Sequence, residues 1–236
     1  MKKVLVITPV KNALENTLLT IKAIQASTLP LEYRVYNDFS DEETKLALVN
    51  HTKKYPFGLI HLQDITDTPS PNYKLVLQDA QKRALKMGLP LLIVESDVEV
   101  KQDTLEKMLN FQEAHSDAGM VGAITVDADG KVNFPYLKFK NVKERNFETK
   151  RSLSFCCTLL SLGFLEKYDF LNLDQSKDWY DTHISEVSIK LGFKNYVLMD
   201  TPVLHKPHSS RPWKQLKYSN PVKYYWNKIF QGKDKI

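Results

Sequence analysis

The chain has 236 residues, of which 42% are hydrophobic, and carries a formal net charge of +5 at pH 7. This size and apolar content allow one sizeable core, which excludes a disordered or fibrous chain and favours a single globular domain. No stretch approaches the roughly 18 continuous apolar residues of a membrane-spanning helix. Residues 204–236 hold eight basic side chains against one acidic, a net +7 that leaves −2 for the rest, so the charge indicates no nucleic-acid-binding core.

The amino terminus begins with Met1, Lys2 and Lys3, followed by an apolar run at 4–7 that superficially resembles a secretion signal. Thr8 and Pro9 interrupt the run, which is too short for the apolar region of a signal peptide. We therefore expect a buried strand here and a cytoplasmic protein.

The first half of the chain alternates short apolar runs with stretches of helical spacing, a pattern typical of a parallel sheet with crossover helices. The predicted strands are residues 4–7, 33–36, 59–62 and 91–94. Two predicted helices between them present apolar faces, made of Leu14, Leu18 and Ile21 in the first and Val76, Ala80, Ala84 and Met87 in the second.

Two local patterns predict where these helices start and stop. Asn12 with Glu15 three residues later resembles a capping box, which would start the first helix. Gly88 followed by Pro90 marks the end of the second helix.

The second half is less regular. It is predicted to contain a helix at 102–115, strands at 120–126 and 131–134, a final helix at 179–191 and a strand at 196–199. The final helix carries Tyr180, Ile184, Val187 and Leu191 on one side. Residues 137–151 have many charges and few periodic apolar positions, so we expect a mobile loop over a site there.

The chain has two cysteines, Cys156 and Cys157. A disulfide between adjacent residues would be strained. The pair is therefore interpreted as two free, buried core thiols in a reducing compartment.

The residues that follow three of the four predicted parallel strands lie where an open α/β sheet binds its ligands. They are Thr8, Pro9, Lys11 and Asn12 after the first, Asn37, Asp38, Ser40 and Asp41 after the second, and Glu95, Ser96 and Asp97 after the fourth. We expect all three groups to meet at one edge of the sheet.

Phosphate binding cannot use a glycine-rich cradle here, because none of the eight glycines forms a dinucleotide-binding or Walker motif. Glu95 and Asp97, one residue apart at a strand end, can instead hold a divalent cation that bridges two phosphates. Two solvated acids that cap a strand are the alternative on spacing alone.

Three segments, VLVITPVKN at 4–12, VYNDFSDEET at 35–44 and IVESDVEV at 93–100, resemble family 2 glycosyltransferases in their order and spacing. The resemblance covers about the first 205 residues. It implies one α/β domain of GT-A type, with a Rossmann-like, mostly parallel sheet flanked by helices. Residues 1–100 would form the nucleotide-binding half and 101–205 the acceptor half, with a basic, aromatic extension at 206–236.

The resemblance also implies contacts with the donor. Asp38 matches the acid that recognises the nucleotide base, and Pro9 lies where the family's backbone contacts that base. Lys11 replaces the usual aromatic residue, and Ser96 lies between the two acids of the metal motif. Lys74 lies where the family often has a basic residue near the donor, although a surface lysine is the alternative.

The metal site implied by the resemblance binds Mn²⁺ or Mg²⁺. Asp97 matches the metal-binding acid, and Glu95 replaces the commoner first aspartate, which keeps an oxygen ligand on a longer arm. His205 matches the late histidine that completes the site in many relatives. His208 is an alternative three residues later.

The catalytic base implied by the resemblance is Asp181, eleven residues before Gly192. Tyr180 precedes it where glutamate is usual. Asp178 is an alternative base, and a purely structural alternative has Asp178 and Asp181 stabilising the amino terminus of the helix.

The resemblance implies inverting transfer of a hexose-type unit from a UDP-sugar to a hydroxyl of a glycan or lipid-linked acceptor, in bacterial-type surface polysaccharide or lipopolysaccharide synthesis. A nucleotidyltransferase could share the chemistry of acids, metal and phosphate. A degenerate GT-A domain that binds a nucleotide or glycan without turnover is the non-enzymatic alternative, because Lys11, Glu95 and Tyr180 depart from the family pattern.

The tail interleaves cations with large aromatics between residues 211 and 230. This composition suits the headgroup layer of an anionic membrane, which would make the protein peripheral at the inner face of the membrane. Packing back on the domain is the alternative, and we expect no nucleic acid partner.

Overall fold

The computed structural model describes residues 2–174, 179–206 and 220–230, with the backbone alone at 227–230. The strands are β1 Val4–Val10, β2 Leu31–Asn37, β3 Gly58–His61, β4 Leu91–Val94, β5 Val98–Glu99, β6 Ala118–Val126, β7 Asn146–Glu148, β8 Cys157–Leu160 and β9 Lys194–His205. The α-helices are α1 Leu14–Gln25, α2 Glu42–Thr52, α3 Tyr73–Met87, α4 Thr104–Ala114, α5 Leu162–Lys167, α6 Tyr180–Lys190 and α7 Pro221–Phe230. Short 3₁₀ segments lie at Leu62–Asp64, Leu137–Phe139 and Phe170–Asn172.

The nine strands form one sheet of order β3-β2-β1-β4-β8-β6-β9-β5, with β7 on β9. The first four strands are parallel, as predicted, with β1 between β2 and β4. Their carboxyl ends therefore lie at one edge. β8 runs antiparallel to both β4 and β6, so it connects the parallel half to the rest of the sheet.

Two hydrophobic clusters cover the two faces of the sheet. Alternate residues of β1 go to opposite clusters, with Val4 and Val6 in one and Leu5 and Ile7 in the other. The first cluster includes residues of α1 and α4, and the second includes residues of α3 and α6. Because both faces are covered, β4 and the first four residues of β1 are continuous apolar runs, which is why the sequence predicts these two strands well.

The predicted start of α1 is wrong. Its N-cap residue is Ala13, which has a left-handed backbone (φ 53°, ψ 47°) and no side-chain cap. The Asn12 side chain instead accepts the backbone N–H of Asp41 at 2.9 Å. Asn12 thus joins two loops and does not form a capping box with Glu15.

Residues 131–134 do not form the predicted strand. The Asp127 side chain accepts the N–H groups of Asp129 and Lys131 in a tight turn, and only Val132 makes an isolated bridge, to Val126. Residues 137–151 are also more regular than predicted, because they contain a 3₁₀ segment and β7, which pairs with β9. The mobility of residues 137–151 stays a prediction. The division at residue 100 into a nucleotide-binding half and an acceptor half also stays a prediction.

Among the described residues, no helix combines the length and the apolar character needed to cross a membrane.

Candidate donor and metal site

Two loops are tied together at the carboxyl ends of β1 and β2. The backbone N–H of Asp38 donates to the Val10 carbonyl at 2.8 Å, and that of Asn12 donates to Ser40 Oγ at 2.9 Å. Lys11 is exposed, and its ammonium donates to the Phe39 carbonyl. The Lys11 side chain thus crosses to the neighbouring loop.

Asp38 anchors the segment before α3 at this edge. Its carboxylate, only 8% exposed, accepts from Ser70 Oγ at 2.7 Å and from the backbone and side-chain N–H groups of Asn72 at 2.8 Å each. The sequence analysis missed Ser70 and Asn72, since no pattern links them to Asp38. Three hydrogen bonds therefore fix the position of the Asp38 carboxylate. Its contact with a nucleotide base stays a prediction.

Two other predicted donor contacts lie near this anchor. Pro9 pairs with Tyr36 in the register of β1 and β2. Lys74 is in the first turn of α3, two residues after Asn72, and is half-buried. Among the described residues Lys74 makes no salt bridge.

The three predicted metal ligands converge from two distant parts of the chain. Glu95 directly follows β4, Asp97 precedes β5, and His205 ends β9, where it pairs with Val98. His205 Nε2 lies 3.6 Å from Asp97 Oδ2. Asp97 and His205 are 7% and 5% exposed, and Ser96 between the acids is also buried.

Cys156, which the sequence analysis interpreted as a core thiol, lies in the same cluster. It is free and buried, but its Sγ is 3.3 Å from Glu95 Oε2 and 3.8 Å from His205 Nε2. The sequence gives no sign of this position, because it depends on β8 pairing with β4.

The orientation of the His205 ring is fixed by the backbone. Nδ1 lies 2.6 Å from the Phe134 carbonyl, an acceptor, so Nδ1 carries a proton and Nε2 points toward Asp97 and Cys156. Asn133 supports this arrangement by donating to the His205 carbonyl at 2.9 Å. A hydrogen bond from the distal ring nitrogen to a carbonyl is usual for a histidine that binds metal.

The crowded acids shift the ionisation of the cluster. Burial, and next the charge of Asp97, raise the pKa of Glu95 to about 7. Burial alone would lower the pKa of His205, but the hydrogen bond and charge of Asp97 and the charge of Glu95 outweigh it, so this pKa is raised. A divalent cation fits this cluster, because it would neutralise the acids and accept oxygen and nitrogen ligands.

Asp181 lies in the first turn of α6, within electrostatic range of Glu95. Its Oδ1 accepts the backbone N–H of Thr182 at 2.8 Å, and its charge helps to raise the pKa values of Glu95 and Tyr73. Trp179 occupies the N-cap position without a side-chain cap. The alternative residues Asp178 and His208 lie outside the described residues.

Tyr73 links the base region to the donor edge, and the sequence analysis missed it. Its ring stacks with Phe155 at 6.2 Å and with Tyr180 at 6.5 Å between centroids. Its buried hydroxyl has no hydrogen-bond partner among the described residues.

A sheet that presents an acid-x-acid segment after β4, met by a histidine from β9, defines the class of the protein: a glycosyltransferase of GT-A type. The Glycosyl transferase family 2 model matches residues 5–170, and the chain belongs to this family. The family predicted from the motifs is confirmed. No curated protein sequence matches the chain.

Solved structures of glycosyltransferases share the fold at low sequence identity. The mannosyltransferase PcManGT from Pyrobaculum calidifontis, in complex with GDP-Man and Mn²⁺, is 16% identical with a TM-score of 0.66, over 96% of this chain and 64% of that chain. S. aureus TarS 1-349 with UDP-GlcNAc is 18% identical with a TM-score of 0.65, over 89% and 60%. GalNAc-T7 with UDP, GalNAc and Mn²⁺ is 13% identical with a TM-score of 0.61, over 87% and 44%. The chain thus spans less than two thirds of each of these structures.

Proposed function

We propose that the protein is an inverting, metal-dependent transferase that moves a hexose-type unit from a UDP-sugar to a hydroxyl of a glycan or lipid-linked acceptor. The observation that carries this proposal is the convergence of Glu95, Asp97 and His205 on one edge of the sheet, with Asp181 within electrostatic range of Glu95. Family membership supports sugar transfer, and neighbours solved with UDP-GlcNAc, or with UDP and Mn²⁺, support the donor type. Surface polysaccharide or lipopolysaccharide synthesis is the proposed pathway.

The donor would lie along the edge formed by β1, β2 and β4. Asp38 and the backbone at Pro9 would hold the base, while Lys11, Lys74 and Ser96 line the path toward the phosphates. Glu95, Asp97 and His205 would hold Mn²⁺ or Mg²⁺, which when bound supplies positive charge to the departing diphosphate. The fixed ring of His205 and the anchored Asp38 require little rearrangement on binding.

Asp181 would take the proton of the acceptor hydroxyl as that hydroxyl attacks the anomeric carbon. Inversion needs only one such carboxylate. The Thr182 N–H on Oδ1 orients the group, and we assign proton uptake to Oδ2. The proximity of Asp181 to Glu95 supports a base next to the phosphate-binding end of the site.

A degenerate binding domain is the second candidate. Two contacts favour it: Lys11 donates to the Phe39 carbonyl, and Tyr180 stacks with Tyr73 in place of the glutamate usual at position 180. Such a domain would bind the donor but would not turn it over.

The test is a thermal-shift panel of UDP-sugars and GDP-mannose, with and without Mn²⁺. A ligand that binds only the folded state raises its stability. We expect one UDP-sugar to stabilise the wild type in the presence of Mn²⁺, and the metal-dependent part to disappear in Asp97→Ala. If no uridine nucleotide gives metal-dependent stabilisation, the proposal is wrong. Slow Mn²⁺-dependent hydrolysis of the stabilising donor then separates an enzyme from a degenerate domain.

A further inference from the structure

The thiol of Cys156 lies within coordination distance of the predicted metal ligands. The atoms that Glu95, Cys156 and His205 offer all lie within 4.8 Å of one another. Asp97 joins them through its 3.6 Å contact with His205 Nε2. Three side chains of three ligand types, carboxylate, imidazole and thiol, therefore surround one point, with Asp97 beside His205.

The spacing of these atoms resembles the edges of a tetrahedral metal site. In a tetrahedral site the metal bonds are about 2.3 Å to sulfur, about 2.0 Å to nitrogen and about 2.1 Å to oxygen. These bond lengths place the sulfur about 3.6 Å from the nitrogen or oxygen ligands, and the nitrogen and oxygen about 3.4 Å from each other. The observed separations are 3.3 Å for Cys156 Sγ to Glu95 Oε2, 3.8 Å for Sγ to His205 Nε2, and 3.6 Å for Nε2 to Asp97 Oδ2. The separations of Cys156 from Glu95 and from His205 therefore fit one shared ion.

A sulfur ligand changes which cations the site prefers. Carboxylates suit Mn²⁺ and Mg²⁺, whereas a thiolate with imidazole favours softer ions, and Zn²⁺ exceeds Mn²⁺ in intrinsic affinity for such ligands. We propose that Cys156 is a fourth ligand of this centre, which therefore binds a thiophilic divalent cation such as Zn²⁺, Co²⁺ or Cd²⁺ more tightly than Mn²⁺. On binding, the S–H bond of Cys156 breaks, a metal–sulfur bond forms and the proton passes to solvent.

The inference deepens the proposed function, since it concerns the same acids and histidine.

The adjacent thiol provides a matched control. Cys157 Sγ contacts Met108 Sδ of α4 at 3.7 Å in the hydrophobic core. A serine at 157 therefore removes the adjacent buried thiol and leaves the cluster of Glu95, Cys156 and His205 complete.

The experiment titrates the metal-free full chain with Co²⁺ and with Cd²⁺ alone and follows the ultraviolet absorption from charge transfer between thiolate and metal. We expect the band in the wild type and in Cys157→Ser, and its loss in Cys156→Ser. Competition titrations should show wild-type Zn²⁺ affinity above Mn²⁺ affinity. The Cys156→Ser variant should lose at least about tenfold in Zn²⁺ affinity, with a smaller loss for Mn²⁺.

Absence of the band from the wild type, or equal Zn²⁺ affinity in wild type and Cys156→Ser, would overturn the inference. The band in Cys157→Ser assigns the sulfur by itself, because this variant has only one thiol, so the result stands even if Cys156→Ser does not fold. No donor sugar enters these titrations. If the band is present but no sugar is transferred, the result counts against the proposed function alone. If sugar is transferred but the band is absent, the result counts against the thiol ligand alone.

Discussion

Asp181 carries the sharpest prediction for a single residue. In Asp181→Asn the amide oxygen can still accept the Thr182 N–H, so the start of α6 is kept, but the side chain can no longer take a proton. We expect transfer from a UDP-sugar to fall by about 10²- to 10⁴-fold, the usual contribution of a general base. Thermal shifts with donor and Mn²⁺ should change little.

A matched control is Asp169→Asn, because the Asp169 carboxylate also accepts a backbone N–H, from Leu171 at 2.8 Å. Its turnover should equal that of the wild type. Transfer by Asp181→Asn at the wild-type rate would show that another group is the base.

The raised pKa values in the metal cluster predict how metal affinity depends on pH. Glu95 titrates near 7 and the pKa of His205 is also raised, and each group must lose its proton to bind a cation. Mn²⁺ affinity should therefore rise with pH through 7, by about tenfold between pH 6 and pH 8 from Glu95 alone. Electron paramagnetic resonance of free Mn²⁺ measures this, and Glu95→Gln should flatten the profile. A wild-type affinity independent of pH would contradict the prediction.

Two tyrosines with buried hydroxyls predict different effects on the free energy of unfolding. The Tyr73 hydroxyl has no partner among the described residues, so Tyr73→Phe should leave the free energy of unfolding unchanged or raise it by about 1 kcal/mol. The Tyr33 hydroxyl donates to Thr8 Oγ1 at 2.9 Å, so Tyr33→Phe should lower that free energy by about 1 kcal/mol. Urea unfolding measures both. Equal losses would mean that the Tyr73 hydroxyl contributes a hydrogen bond to folding.

The sequence predicts site residues when they follow a strand of the parallel half. Glu95 and Asp97 come directly after an apolar run of that half, so the carboxyl-edge rule locates them, whereas His205 was predicted from the family resemblance. Cys156 precedes β8, whose antiparallel pairing with β4 depends on contacts between residues distant in sequence. Its place beside Glu95 therefore could not be predicted from a local pattern.

Among the elements, the segment before α3 depends on Asp38. Asp38→Ala would leave the Ser70 hydroxyl and two donors of Asn72 without this acceptor, which should cost about 2 kcal/mol. Hydrogen exchange at residues 68–72 should become faster. Asp67→Ala changes an exposed acid of the same segment and should stay within about 0.5 kcal/mol of the wild type. Unchanged exchange in Asp38→Ala would rule out the anchor.

The parallel strands β1 to β4 were predicted, whereas β5, β7 and β8 were not. The runs of β1 and β4 are continuous and apolar, so their sequences indicate strands directly. β7 has three residues and includes Asn146 and Glu148, and it is a strand because it pairs with β9. The start of α1 was wrong because Asn12 and Ala13 adopt positive φ angles, where the Asn12 side chain serves another loop.

At the scale of the whole molecule, the sequence near the carboxyl terminus combines a net positive charge with exposed apolar side chains. In α7, Val222, Tyr225 and Trp226 are 81%, 51% and 59% exposed, while Tyr224 is 3% exposed. The basic residues Arg211, Lys214 and Lys217 lie outside the described residues. The buried Tyr224 fits packing on the domain, and its exposed neighbours fit insertion into a headgroup layer, so both alternatives for the tail stay predictions.

We therefore expect the full chain to co-sediment with vesicles of anionic lipid and not with neutral vesicles, because each basic residue near an anionic surface contributes about 1 kcal/mol. A chain that ends at Ser210 should lose this binding. Val222→Ser with Trp226→Ser should weaken it while keeping the charge, which separates apolar insertion from attraction between charges. High salt should also weaken vesicle binding by the wild type, since it screens the attraction between the basic residues and the anionic lipid. Equal, negligible sedimentation of the full and shortened chains would remove membrane association and leave packing on the domain as the role of the tail.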